Sequence, residues 1–363
     1  MWTNTRVSDL LGIRYPIVQG PFGGGYSTTA LTAAVSKAGG LGSFGAMSLA
    51  PEEIRQTVRD IAARTDRPFA MNLWVPLAGQ DDRPVSPGDL ERSARHLRPY
   101  FAELGISPPP LPARMSQSFQ EQVQALLEAR PPVFSFVMGI PDAAILHEAR
   151  QRGIRTVGAA TTVEEGEALA AAGVDVITAS GTDAGGHRGS FLRPVESSQV
   201  GTLSLVPQLT SVVRVPVIAA GGIADGRGIA AALALGAEGV QVGTAFLATP
   251  ESGAPAAHRE LLGTPRSRAT RMTRAFSGRH ARGIENELML ELEKHPEDLL
   301  PYPTQNALTT PLRRAAGAAG KPSMLALWAG QSAGLARQIP AAQLVETLVR
   351  ETGEVLQRLA SLT

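Results

Sequence analysis

Residues Val215 to Thr244 read VPVIAAGGIADGRGIAAALALGAEGVQVGT. Val215 to Ala220 form a short apolar run, with β-branched residues, of the kind a buried strand shows. The run stops at Gly221-Gly222. Asp225 then stands where a helix N-cap would sit, an Ala/Leu-rich helix spans Gly228 to Leu235, and Gly236 closes it. Gly239 to Val242 form a second apolar run, which again ends in glycine, at Gly243-Thr244. Two strands flanking one helix, each strand stopped by glycine, suggest a parallel sheet with crossover helices.

The same grammar extends toward the N-terminus. Asp175 to Ser190, DVITASGTDAGGHRGS, gives a strand over Val176–Ala179, then Gly181 and the block Gly185-Gly186-His187-Arg188-Gly189. Earlier apolar runs lie at Tyr15–Gln19, Leu41–Gly45, Phe69–Leu73, Val133–Val137 and Arg155–Ala159. Helices are expected over Ala30–Ala38, from Pro51, over Phe119–Ala129 and Asp142–Arg152, and from a Thr161-Thr162 cap to Ala172, with another starting at Leu205-Val206-Pro207. Eight strands alternating with helices over about 250 residues suit a (β/α)8 TIM barrel. A doubly wound sheet would need an early G-x-G-x-x-G, and Gly20 to Gly25 do not have that spacing.

Two segments break the alternation. Between Val75 and Pro112 prolines recur, which predicts an insertion over 76–118 after strand three, with one charged amphipathic helix near Pro87–Leu104. After about residue 250 a mostly helical cap, 251–340, is expected over the barrel mouth, with an acidic helix over Ile284–Lys294. The final helix, Pro340–Leu359, would pack back on the barrel, so the barrel domain comprises 1–250 plus 341–363.

Composition narrows the function. The chain has 363 residues, 34 basic and 33 acidic, so no basic face signals nucleic acid. There is no cysteine, which excludes disulfides, thiolate catalysis and Cys-ligated metals. No apolar run reaches membrane-spanning length, and the first residues lack a signal-peptide core. A cytoplasmic protein is expected. The expected partners are a small-molecule substrate and O2, with neither nucleic acid nor membrane. A homodimer is compatible with the sequence, which leaves the oligomeric state open.

In such a barrel, function sits where strands end. Those ends offer Gln19-Gly20-Pro21, Asn72, Met138, Ser180-Gly181, Gly221-Gly222 and Gly243-Thr244. The last two pairs follow strands seven and eight, the usual phosphate position of this fold, although glycines also simply end strands. Asn72 and Gln241 can hydrogen-bond a heterocycle edge or act as core amides. The histidines, at 96, 147, 187, 258, 280 and 295, are scattered, and only His187 stands at a strand end, where a neutral imidazole could take a proton. No His/Asp/Glu cluster is visible, so no metal is expected. No lysine ends a strand, which disfavours Schiff-base chemistry.

These residues resemble the nitronate monooxygenase family, formerly the 2-nitropropane dioxygenases. The resemblance is carried by Gln19-Gly20-Pro21 with Gly23-Gly24, Ala38–Gly42, Asn72, Asp183–His187, Pro216–Gly226, Gln241–Leu247 and the Ser277–Gly283 stretch. It implies FMN in the barrel mouth, with its phosphate around Gly221, Gly222, Gly243 and Thr244. Its ring would lie near Gly20, Pro21, Asn72 and Gly185, with Phe22, Ser180, Gly181, Gly186, Gln241 and Val242 completing the cofactor site. His187 carries over as the catalytic base, which removes the proton α to a nitro group or orients an existing nitronate, giving a carbonyl compound and nitrite. Many members have Gln where this chain has Ser180. NAD(P)H-dependent FMN reductases of quinones or enoyl thioesters share the superfamily pattern and are the alternative. A non-catalytic flavin-binding sensor is a weaker one, since it needs no base. Asp183, Arg188 and Tyr302 receive no role.

Overall fold

The computed structural model describes residues 2–77, 84–112 and 115–362. Part of the expected insertion, residues 78–83 and 113–114, lies outside them. The strands, in chain order, are β1 (Ile17–Gln19), β2 (Gly42–Gly45), β3 (Phe69–Trp74), β4 (Val133–Val137), β5 (Arg155–Ala160), β6 (Val176–Ser180), β7 (Gly186–His187), β8 (Val217–Ala220), β9 (Gly239–Val242), β10 (Thr270–Thr273) and β11 (Ala281–Ile284).

All eight expected barrel strands are present. They form one sheet in the order β1-β9-β8-β6-β5-β4-β3-β2. Neighbours pair in parallel. A Val18–Leu41 bridge, with Gln19 N–H donating to Leu41 O at 2.9 Å, ties β1 to β2 and nearly closes the barrel. The N-terminal helix Arg6–Leu11 plugs the bottom: its Val7 and Leu11 pack against Val18, Leu41, Ala70, Val133, Val157, Val176 and Ile218. With that end filled by apolar side chains, the opening lies at the strands' C-terminal ends.

Local sequence explains most boundaries. Thr28 caps the helix Thr29–Lys37 by accepting from Leu31 N–H. Thr162 caps Val163–Ala171 by accepting from Glu165 N–H. Asp225 caps Gly226–Ala234 through Arg227 and Gly228 N–H. The last helix, Ala341–Ala360, buries Leu344, Val345 and Leu348 in the barrel's outer core, each worth roughly 1.5–3 kcal/mol.

Three boundaries differ from the sequence reading. The helix expected from Leu205 starts at Thr202 and carries Pro207 inside it. Its first turn is held by Asp183, whose Oδ2 accepts from Thr202 N–H at 2.7 Å. Ile284 ends a strand, and the acidic helix begins only at Glu287, capped by Asn286. The chain after residue 250 also contains sheet: its β10 and β11 form an antiparallel three-stranded ladder with β7, so the loop after β6 is stitched into it.

A second apolar core lies above the barrel. It joins Leu97, Tyr100 and Phe101, from the insertion helix Pro87–Glu103, to Phe276, Leu288, Leu312 and Leu327 of the C-terminal part. The insertion and the chain after residue 250 therefore share one packed layer.

Candidate active site

Register brings the rim glycines together. Ser180 of β6 pairs with Ala220 of β8, and Ala220 pairs with Gln241 of β9. Gln19 of β1 pairs with Val242, and Gly20 N–H donates to Val242 O at 2.8 Å. Gly20, Gly221 and Gly243 thus end neighbouring strands at one level.

They open on a cavity of about 1420 Å³, its mouth included. Its lining includes Gly20, Pro21, Phe22, Asn72, Ser180, Gly185, Gly186, His187, Gly221, Gly222, Gln241, Gly243 and Thr244. Two of the expected residues lie behind it. A Cβ on Gly181 would meet Thr202 Oγ1 at 2.1 Å, so that face is filled by the following helix. Val242 is fully buried in the barrel core. Among the described residues that line the cavity there is no Lys, Arg, Asp or Glu.

The backbone at the β8 end suits an anion. Gly221 and Gly222 have φ of 111° and 69°, a region glycine adopts without a Cβ clash. The N–H groups of Gly222 and Ile223 make no hydrogen bond to the described residues. The Ser332 hydroxyl, which donates to Gly222 O at 2.6 Å, and Thr244 also face the cavity. Amides and hydroxyls without a fixed cation are a donor set that fits a flavin phosphate. Asn72 spends one N–H on Ser135 Oγ at 3.0 Å, and Gln241 lines the same cavity from β9. Both fit a heterocycle edge.

His187 stands on the opposite wall. As part of β7 it is paired to Ala281 of β11, and its Nε2 lies 2.8 Å from Ser277 Oγ. The Ser277 hydroxyl is also 3.2 Å from Arg279 O, which accepts from it. With that proton directed to Arg279, His187 donates from Nε2 and keeps Nδ1 as the acceptor. The imidazole is held edge-on by Trp74 at 4.8 Å and Trp328 at 5.2 Å. Burial, then the charges of Arg279 and Arg313, push its pKa down to about 3, so the ring is neutral at physiological pH.

The segment around His187 is braced from below. Arg188, buried, donates to the carbonyls of Ser180 at 2.5 Å and Ser198 at 2.9 Å. Glu165, fully buried, accepts from Thr161 N–H, Thr161 Oγ, Phe191 N–H and Leu192 N–H. Arg188 and Asp183 are thus structural ties, and Tyr302 stacks over the Arg279 guanidinium at 4.3 Å.

Sequence reasoning gives Trp74, Trp328, Ser277 and Glu165 no role at the site, although Ser277 lies in the Ser277–Gly283 stretch that carries the resemblance. Trp74 was visible as the residue after the third apolar run, at a strand end. The others are set by contacts distant in sequence. The reading also missed a convergence: His96, His295 and Asp298 bring their donor atoms within 4.8 Å of one another. Asp298 already receives His96 at 2.8 Å, Arg92 at 3.3 Å and Arg95 at 3.9 Å. Arg92 and Arg95 thus share the same carboxylate, and the trio ties the insertion helix to the C-terminal part.

A glycine-ended barrel mouth with free backbone amides and, in the same cavity, a half-buried neutral histidine suit a cofactor-using barrel enzyme. The family model for nitronate monooxygenase matches residues 4–351. A probable nitronate monooxygenase of Staphylococcus saprophyticus is 38% identical over 360 residues, covering 99% of this chain and 100% of the relative. Among solved structures, a nitroalkane oxidase from Streptomyces ansochromogenes aligns with a TM-score of 0.88 and 39% identity over 98% of this chain and 100% of the other. FabK from Thermotoga maritima aligns with a TM-score of 0.77 and 31% identity, with 99% of each chain covered. The chain belongs to the nitronate monooxygenase family and is a flavin-dependent oxidoreductase. No described helix is long and apolar enough to cross a membrane.

Proposed function

We propose that this protein is an FMN-dependent nitronate monooxygenase that oxidises alkyl nitronates with O2 to carbonyl compounds and nitrite. The observation that carries the reading is one cavity holding both a backbone-built anion cradle and, across from it, His187 between two tryptophans. FMN supplies the one-electron chemistry that links the substrate to O2. Its phosphate would rest on Gly221, Gly222, Gly243 and Thr244, and its ring along Gly20, Pro21, Phe22, Asn72, Ser180, Gly185, Gly186 and Gln241. Gly181 and Val242 would support these residues from behind. In overall balance, two nitronate anions and one O2 give two carbonyl compounds and two nitrites, so no external reductant is consumed.

His187 would be the catalytic residue. Its free nitrogen can accept a proton from the carbon α to a nitro group. The buried position makes it a weak base, so a pre-formed nitronate, which needs only to be oriented, suits it better than a neutral nitroalkane. We propose residues 251–340 as the cap domain, a cytoplasmic location, and a small-molecule substrate with O2 as partners. The reductase alternative has less support: the FabK likeness speaks for it, but the likeness to a nitroalkane oxidase is stronger in both identity and TM-score.

The test is anaerobic mixing of the FMN-loaded protein with NADH and, separately, with a nitronate, followed by O2. Nitrite release without NADH is expected. Rapid flavin bleaching by NADH with no nitrite from nitronate would overturn the reading. For the base, His187→Asn should slow turnover of neutral nitroalkane more than that of its nitronate, and equal loss would remove that role.

A further inference from the structure

We infer that Ser332 is a positioning residue for the cofactor phosphate. Its hydroxyl orients the Gly222–Ile223 peptide at the end of β8, and that orientation lets the chain tell a phosphorylated flavin from the bare ribityl flavin. This rests on the cavity being an FMN site with the phosphate at the glycine rim. Ser332 reaches the rim on the segment Trp328–Ser332, from the chain after residue 250. It lines the same cavity as Gly221, Gly222, Ile223 and Thr244.

The segment is fastened at successive residues. Ala329 N–H donates to Arg282 O at 3.2 Å, and Gln331 N–H to Asp183 O at 2.9 Å. Between them, Gly330 N–H donates to Thr244 Oγ1 at 2.9 Å. A Cβ on Gly330 would meet Asp183 O at 2.8 Å, so a glycine is what lets the segment lie this close to the loop after β6. With the backbone held at 329, 330 and 331, the place of the next side chain is set. The Ser332 hydroxyl donates to Gly222 O at 2.6 Å. One short stretch therefore ties together the turns after β6, β8 and β9.

Two of these contacts bear on an anion at the rim. The Gly222 carbonyl and the Ile223 N–H belong to one trans peptide and point in opposite directions. Holding the oxygen on Ser332 therefore fixes the direction of the N–H. Gly221 and Gly222 take φ of 111° and 69°. Glycine backbone has other conformations open to it, so this peptide needs an outside tie. Neither the Gly222 nor the Ile223 N–H bonds another described residue. The second contact acts on Thr244. Its Oγ1 accepts from Gly330 N–H, so its own hydrogen is left to donate, and phosphate oxygens accept. No Lys or Arg lines the cavity among the described residues. An anion held by amides and hydroxyls alone depends on their aim, because a hydrogen bond weakens steeply as its angle closes. Ser332 acts on that aim: its hydrogen goes to Gly222 and not to the ligand.

The test reads binding rather than turnover. The full chain, stripped of flavin, is titrated with FMN and with riboflavin, which differ only in the phosphate, and flavin fluorescence gives each Kd. The wild type should prefer FMN by about 100-fold or more. Ser332→Ala should weaken FMN by about tenfold and change riboflavin by less than about twofold. Ser332→Cys keeps the shape but donates weakly and should show the same loss, so the result does not hang on one variant's folding. Ser332→Thr keeps the hydroxyl and should restore most of the FMN preference. Alanine and cysteine variants that bind both flavins more weakly by the same factor would overturn the inference, because a merely structural role predicts that result. So would unchanged FMN affinity in them, or a threonine variant no better than alanine. The wild type alone tests the underlying reading: equal affinity for the two flavins, or none for either, removes the phosphate from the rim and this inference with it.

Discussion

The glycine rim of β1, β8 and β9 and the aromatic wall around His187 face each other across one cavity, and they are built differently. The rim offers backbone: strand-end glycines at one level, free amides at Gly222 and Ile223, and the hydroxyls of Ser332 and Thr244. The wall offers side chains, His187, Trp74, Trp328 and Ser277, drawn from the loop after β6, from β3 and from the cap. Backbone recognition suits a constant ligand, whose phosphate and ring do not vary. Side-chain recognition can be retuned by single substitutions without disturbing the barrel. On the proposed reading the cofactor would rest on the rim and the substrate against the wall.

It can be broken first where rim and wall touch. An added Cβ at Gly185 would lie 2.4 Å from Ala329 C and Gly330 N, and those atoms are backbone that cannot swing aside. Gly185→Val should abolish flavin retention and reduce nitrite release by more than about 100-fold, measured by flavin absorbance and rate. Normal flavin content in that variant would mean the two walls are not locked together there.

A smaller effect tests the brace beneath the wall. Glu165→Ala removes the acceptor for four donors in a fully buried site. It should cost about 3 kcal/mol or more, and thermal unfolding should show Tm lowered by roughly 4 °C or more. Glu165→Gln should recover part of this. A Tm unchanged in the alanine variant would show that the loop holding His187 is fixed by other contacts.

The mildest effect concerns pH. His258 is fully buried against Tyr26, and burial pushes its pKa down to about 4, as it pushes His187 to about 3. An unfolded histidine titrates near 6.5. Between about 6.5 and 4 the unfolded chain therefore binds protons that the folded chain refuses, and stability falls as pH falls through that window. His258→Phe should flatten the decline of Tm with acid by up to one proton's worth, with little effect at pH 8. An equally steep decline in the variant would assign the acid sensitivity elsewhere.

Much of the barrel was legible because its signals are local. The runs at Val133–Val137 and Phe119–Ala129 carry their own stops, Met138-Gly139 after the first and an N-capping serine, Ser118, before the second, and the observed elements coincide with them. The rim glycines were legible for the same reason, as strand ends. The wall was not. β7 is two residues long, too short for any periodicity, and exists only through β11, far along the chain. The start of the helix at Thr202 depends on Asp183, a cap borrowed from another loop. Trp328 and Trp74 become a pair only when the cap folds over β3. Pattern reading finds what adjacent residues decide; it found His187 by its glycines and missed the neighbours that tune it.

The ladder between β7 and β11 has a consequence for turnover. Gly186 and His187 are hydrogen-bonded strand partners of Arg282 and Ala281, and Arg188 N–H donates to His280 O at 2.8 Å. The loop that holds the histidine is thus a strand of the cap. Any motion that lifted this part of the chain to let product out would carry His187 away from the glycine rim or break the ladder. Release by that route and retention of a working site are mutually exclusive, so the enzyme would be inactive whenever it is open there. A chain built this way should turn over with the β7–β11 ladder intact.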